Sequence, residues 1–187
     1  VKTAGKVNFG PWSEDAEVDI DTLKSVKSPK DVFFPQSENL YTCEREGRKL
    51  KVEPEALKEQ RFTVFGMRAC DVQGVKVLDQ VFLAEPVDSF YAARRKHGTM
   101  VAIACHEPEE SCFCKVFGID CAEPTADVAA WFAGEELYWK ALTEKGELLT
   151  EQVKVLLTET DAAEEEKIEQ AELRKEYIAT IKMNLRN

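Results

Sequence analysis

The 187-residue chain lacks any apolar run near the roughly 20 residues that cross a bilayer. Its first residues also lack the basic patch and apolar stretch of a secretory signal. The expectation is a cytoplasmic protein with no membrane partner. Basic residues are in deficit, with 25 Lys and Arg against 35 Asp and Glu and a formal net charge of -10. Phosphate backbones owe their affinity to Lys and Arg, so no nucleic-acid partner is expected either. Histidine is scarce: there are only two, His97 and His106. Neither sits in a recognisable nucleophile motif, which weakens the case for a thiol enzyme built on a Cys–His pair. Gly-rich phosphate-binding signatures are missing, so a nucleotide or flavin is expected on a partner rather than on this chain. Adjacent carboxylates such as Glu109 and Glu110 fall in a polar loop and read as solvated.

What is present is a globular composition, 44% hydrophobic and 32% charged, long enough for one full core. The expected fold class is α/β: a small sheet with at least one parallel strand–helix–strand unit, an irregular N-terminal lead-in and a charged C-terminal helix. The expected division is an α/β domain over residues 1–155 and a charged amphipathic helix or linker over 156–187. The first 40 residues mix Gly, Pro and Ser with short apolar pieces. They are read as irregular, with a short helix near Ile20 to Val26 and a brief strand at residues 31–35. Glu46-Gly47 punctuates two partly alternating segments as a small hairpin.

Residues 61–66 form a β-rich apolar run of the kind that makes a buried strand. A helix follows, with Asp71 as its cap and Val72, Val75, Leu78 and Phe82 on one face. Asp88 starts a second helix through Tyr91 and Arg95 that ends at Gly98, and residues 99–104 make a second buried strand. A strand, a helical crossover and a strand predict a parallel pair. Asp127 is read as opening another helix through Trp131 and Leu137. Residues 143–146 are read as a turn, and Leu148-Leu149 as a short apolar segment. Over residues 160–187, Ile168, Ala171, Ile178, Ile181 and Leu185 recur at helical spacing among Glu, Lys and Arg.

The chemistry lies in six cysteines, which in a reducing compartment point to metal or redox use before a disulfide framework. Cys70 stands between the first strong strand and its helix, and Cys105 directly follows the second strand. Both therefore emerge at strand carboxyl ends, where open α/β sheets build sites. A polar loop then returns Cys112 and Cys114, so four thiols converge at one sheet edge. Thiolates are soft ligands that suit an iron–sulfur cluster or zinc. The helix end after Cys70 offers unpaired N–H groups and partial positive charge to an anionic centre. Arg68, Lys115, Arg94 and Arg95 are read as solvated surface residues. Cys43 is expected to be a small core residue, and Cys121 stands near enough to replace Cys114 or Cys70 as a ligand. The spacing matches neither paired zinc knuckles nor the ferredoxin C-x2-C-x2-C run, so the metal stays open at this point.

Several unusual blocks occur in order: Ser28-Pro29-Lys30, Phe34-Pro35-Gln36-Ser37-Glu38, Gly66-Met67-Arg68-Ala69-Cys70-Asp71, Asp88-Ser89-Phe90-Tyr91 with Arg94-Arg95, and Cys112-Phe113-Cys114. Over about residues 25–150 they resemble the N-terminal part of an iron–sulfur subunit family. That family contains the beta subunit of cytoplasmic sulfhydrogenases and the A subunit of anaerobic sulfite reductase. The resemblance implies an electron-transfer module of an oxidoreductase complex of hydrogenase or sulfite reductase type, without catalysis of its own. It implies one 4Fe–4S cluster on Cys70, Cys105, Cys112 and Cys114. The implied partners are a flavin-containing NAD(P)H-handling subunit and a ferredoxin-type or catalytic subunit. Family members continue into a region with two C-x2-C-x2-C-x3-C-P motifs, and no such motif follows Leu149 here. The alternative reading is a structural zinc domain that holds a protein-binding surface.

Overall fold

The computed structural model describes residues 2–3, 6–7, 27–105, 109–110, 112–133 and 136–158. The helices expected near Ile20 to Val26 and over 160–187 lie outside these residues, as does His106. Two short strands, β1 (Lys2–Thr3) and β2 (Lys6–Val7), pair antiparallel. The segment expected as a strand at 31–35 is instead a 3-10 turn at Pro29–Val32. Pro29 fixes a helical φ at its start, and the following Phe33 is fully buried, 5.6 Å from the Phe62 ring.

The predicted hairpin is present as β3 (Tyr41–Glu46) and β4 (Lys49–Pro54), turning at Gly47 with φ of 61°. Its register sorts the side chains cleanly. Tyr41, Cys43 and Arg45 lie opposite Pro54, Val52 and Leu50, while Glu44 and Glu46 lie opposite Lys51 and Lys49. Opposite charges facing across strands support that second face. Every residue of the hairpin is exposed, which corrects the expectation that Cys43 is a core residue. Alternation gave Cys43 an apolar face, but that face does not pack on the main sheet.

The main sheet has the order β5-β6-β7-β8, with β5 (Phe62–Met67), β6 (Gly98–Ile103) and β7 (Val128–Ala133) parallel and β8 (Glu136–Ala141) antiparallel to β7. The chain crosses from β5 to β6 through helices α1 (Ala69–Phe82) and α2 (Ser89–His97). Asp88 caps α2 as expected, its carboxylate accepting the Tyr91 N–H at 2.9 Å. Arg68, not Asp71, occupies the cap position of α1. Asp71 stands three residues further on and its carboxylate accepts the Arg68 N–H at 3.1 Å. The spacing of apolar residues in α1 does what it predicts: Val72 and Val75 are buried, with Leu78 and Phe82 packed beside them. Each fully buried valine contributes on the order of 1.5–3 kcal/mol.

The helix expected after Asp127 is instead the β7–β8 hairpin. A run such as Val128-Ala129-Ala130-Trp131-Phe132 carries no period that separates a buried strand from a buried helix. Asp127 is itself buried and caps nothing of its own. Its carboxylate accepts the Met100 N–H at 2.9 Å and the Thr143 hydroxyl at 2.8 Å, tying β6 to the start of α3 (Glu144–Val153). Residues 143–146 thus open a helix rather than form an isolated turn, and Leu148-Leu149 belongs to it. The central strand β6 is covered on both faces. Met100 and Ala102 pack with Met67, Val72, Val75 and Tyr91, while Val101 and Ile103 pack with Val128, Ala130 and Leu149.

Candidate metal centre

Because β5 and β6 are parallel, with Met67 opposite Ala102, their carboxyl ends lie at the same edge of the sheet. Cys70 therefore sits in the first turn of α1 directly above that edge, and Cys105 follows β6 at the same level. The connection from β6 to β7 carries Cys112, Cys114 and Cys121. Two devices fold it back. A 3-10 turn at Cys114–Phe117 ends at Gly118, whose φ of 64° suits glycine, and the Cys114 carbonyl accepts the Ile119 N–H at 2.9 Å. The Asp120 carboxylate then accepts the N–H groups of Ala122 (2.9 Å) and Glu123 (3.3 Å). Trp131 Nε1 donates to the Ala122 carbonyl at 2.7 Å, and Cys105 N–H donates to the Cys121 carbonyl at 2.9 Å. Cys121 is thereby laid alongside Cys105.

Cys70, Cys105 and Cys114 influence one another at this edge, together with Cys121, while Cys112 is linked to them through Cys114, two residues on. The Cys70 and Cys114 thiols stand near enough to influence each other's ionisation. The Cys105 thiol is pushed up to about 11, first by burial and then by the negative charge Cys121, Cys70 and Cys114 carry when ionised. The Arg68 guanidinium opposes that rise, so Arg68 faces the thiols rather than only solvent. Cys114 is also pushed up to about 11 by burial, then by Cys70, Cys121 and Cys112. Burial and then Asp71 raise Cys70. These are free thiols at neutral pH, and a metal would take them as thiolates with release of protons. Cys70 is exposed and the other four are half-buried.

Among the described residues no three His, Cys, Asp or Glu groups stand close enough to hold one metal ion. A single zinc would draw its thiolates to about 3.8 Å from one another, given Zn–S bonds near 2.3 Å in a tetrahedron. A four-iron cluster asks for a wider set, because its irons and sulfides stand between the ligands. The donors fit it in kind: soft thiols at a partly exposed edge, under a helix N-terminus that supplies N–H groups and partial positive charge.

Sequence reasoning missed the rim. Phe113, Val116 and Phe117 are 62%, 77% and 74% exposed immediately around Cys114. Their signal in the sequence was apolar residues inside a cysteine loop. The basic pair expected on the surface divides differently. Arg94 is buried in an ion pair with Glu38, and Arg95 Nε donates to Asp79 at 2.9 Å. Both stitch α2 into the fold. His97 lies at the other end of β6, in a cleft of about 360 Å³ with Arg61, Thr63, Lys96, Lys145 and Gln152. At about 3.3 Å per extended residue it stands on the order of 25 Å from Cys105, too far to activate any of these thiols.

No helix among the described residues is long and apolar enough to cross a membrane. No protein-family model matches the chain, and no solved structure matches it. The chain is similar to a curated protein, Sulfhydrogenase 2 subunit beta of Pyrococcus furiosus, at 32% identity over 112 residues. That stretch takes in 60% of this chain and 32% of the relative, so the match spans about a third of the relative's length. Over that part of its length the chain is related to the sulfhydrogenase beta subunit family.

Proposed function

We propose that this chain is an electron-transfer module of a hydrogenase-type oxidoreductase complex, carrying one 4Fe–4S cluster at the cysteine edge of its sheet. The observation that carries the reading is the mutual electrostatic influence of Cys70, Cys105, Cys114 and Cys121, which come from three separate stretches of chain beside the first turn of α1. The partial relationship to a protein named as a sulfhydrogenase subunit agrees with it.

When bound, the cluster supplies reversible one-electron chemistry. The chain's own residues do the rest. Cys70, Cys105 and Cys114 offer thiolate ligands, with Cys112 and Cys121 beside them. The first N–H groups of α1 and the Arg68 guanidinium favour negative charge there, which stabilises the reduced, more negative state. Electrons pass by outer-sphere exchange with the partner. The exposed Phe113, Val116 and Phe117 give a partner subunit an apolar surface within reach of the site. The partner would carry the flavin or the catalytic metal.

The test is a reductive titration with dithionite on protein purified without oxygen, followed by electron paramagnetic resonance. About one electron per chain, reversible bleaching and a signal that appears on reduction are expected. A chain with no reducible chromophore refutes the proposal.

A further inference from the structure

At the opposite end of the main sheet from the cysteines lies the cleft of about 360 Å³ that His97 lines. Its volume falls within the roughly 300–1,000 Å³ of small-molecule sites. The parallel register sets Thr63 opposite Thr99, which brings two hydroxyls side by side into the lining. Phe62, from the start of β5, and Leu148 and Leu149, from α3, supply an apolar wall. Arg61, Lys96 and Lys145 bring three cations to the same cleft. The chain has 35 acidic residues against 25 basic ones, yet among the described residues no Asp or Glu lines it.

Lys145 is the fixed cation of the three. Its Nζ donates to the Arg95 carbonyl at 2.7 Å and to the Gly98 carbonyl at 3.0 Å, which ties α3 to the end of α2. An ammonium has three donors, so one is left over. Burial lowers Lys145 from its ordinary value, and the carboxylates of Asp127 and Asp79 oppose that fall. Both carboxylates are committed elsewhere, Asp127 to the Met100 N–H and the Thr143 hydroxyl, and Asp79 to Tyr91 and Arg95. Among the described residues, none of Arg61, Lys96 and Lys145 forms an ion pair. Cations gathered around a low-dielectric cleft focus their field on it, and an anion beside Lys145 offsets the cost of its burial.

We propose that this cleft binds a small organic anion, its phosphate or carboxylate head held by Lys145, Arg61 and Lys96 and its apolar, ring-sized body against Phe62, Leu148 and Leu149. The hydroxyls of Thr63 and Thr99 donate to the remaining oxygens of the head. Binding is non-covalent. At on the order of 25 Å from Cys105 the site stands apart from the cysteine edge, and it does not depend on what that edge holds.

Isothermal titration calorimetry on the full chain at low salt tests it with phenyl phosphate, benzoate, inorganic phosphate and phenol. At least one of the two aromatic anions should bind at one per chain and more tightly than inorganic phosphate, while phenol should not bind. Tighter binding of phenyl phosphate assigns a phosphate head, and tighter binding of benzoate a carboxylate head. Lys145→Met should weaken the better probe by about tenfold or more, as loss of a charge-assisted hydrogen bond does. Lys145 also secures α3, so the two exposed cations are removed separately. The double variant Arg61→Gln with Lys96→Gln should keep the fold by circular dichroism and bind about fivefold more weakly. Lys51→Gln, on the exposed β3–β4 hairpin, should bind as wild type does. The proposal is overturned by failure of both aromatic anions to bind, by phenol or inorganic phosphate binding as tightly as they do, or by a double variant that binds them as tightly as wild type.

Discussion

Asp127 joins three elements, and Asp127→Ala measures how much of the fold depends on it. The residue is 7% exposed at the entry to β7. Its carboxylate accepts the buried Met100 N–H at 2.9 Å and the Thr143 hydroxyl at 2.8 Å. Its own backbone donates to the Met100 carbonyl and accepts from the Leu142 N–H, so the strand stays paired when the side chain is removed. The loss is therefore confined to the carboxylate. Hydrogen bonds to a charged group contribute about 1.5–3 kcal/mol each, and a buried donor left without a partner costs about 1–3 kcal/mol. The Met100 N–H bears that cost in full. Thr143 still faces the Gly146 N–H that it caps, at 3.3 Å, so it bears less. A total near 3 kcal/mol follows. With a urea dependence of about 2 kcal/mol per molar, the unfolding midpoint should fall by roughly 1.5 M. Asp127→Asn keeps an acceptor for Met100 and should lose about half as much. Urea titration followed by circular dichroism reads both. A midpoint for Asp127→Ala within about 0.3 M of wild type refutes the hub role.

Two further perturbations probe the packing around the site. A Cβ at Gly146 would meet the Asp127 carbonyl oxygen at 2.1 Å, so Gly146→Ala must displace the start of α3 and should cost upwards of about 2 kcal/mol in thermal or urea unfolding. An unchanged midpoint contradicts the close approach of α3 to β7. Tyr91 is held well above its usual range by burial and by the Asp79 carboxylate, to which its hydroxyl donates at 2.6 Å. Its folded value exceeds its unfolded one, so its contribution is complete below about pH 10 and is lost as pH rises beyond that through the folded value. Absorbance titration should show Tyr91 ionising later than an ordinary tyrosine. Tyr91→Phe should flatten the alkaline loss of stability, and equal alkaline slopes in the two proteins count against the assignment.

The parts of the fold that were legible in the sequence are those where a period and a punctuating residue agree. The three- and four-residue spacing of Val72, Val75, Leu78 and Phe82 gave α1, and Asp88 gave the start of α2. The short apolar runs on either side gave the parallel pair β5 and β6. Where one signal stood alone it misled. Asp127 before an apolar run looks like a helix cap, yet its partners are Met100 and Thr143, far away in sequence. Arg94 looked like a surface cation because nothing in the sequence links it to Glu38. Cys43 obeyed its alternation but belongs to a hairpin that leaves both faces open. At the candidate site, strand ends and loop spacing pointed to Cys70, Cys105 and Cys114, which do influence one another. The closeness of Cys121 to Cys105 depends on the left-handed turn at Gly118 and the Asp120 carboxylate, and spacing alone does not encode either.

The proposed function stands on an iron–sulfur cluster at the cysteine edge. Iron, acid-labile sulfide and zinc per chain, measured with a visible spectrum on protein purified without oxygen, test it most directly. About four irons and four sulfides are expected, with broad absorption that fades under dithionite. One zinc per chain with no sulfide and no visible absorption contradicts it and assigns the edge to a structural zinc site.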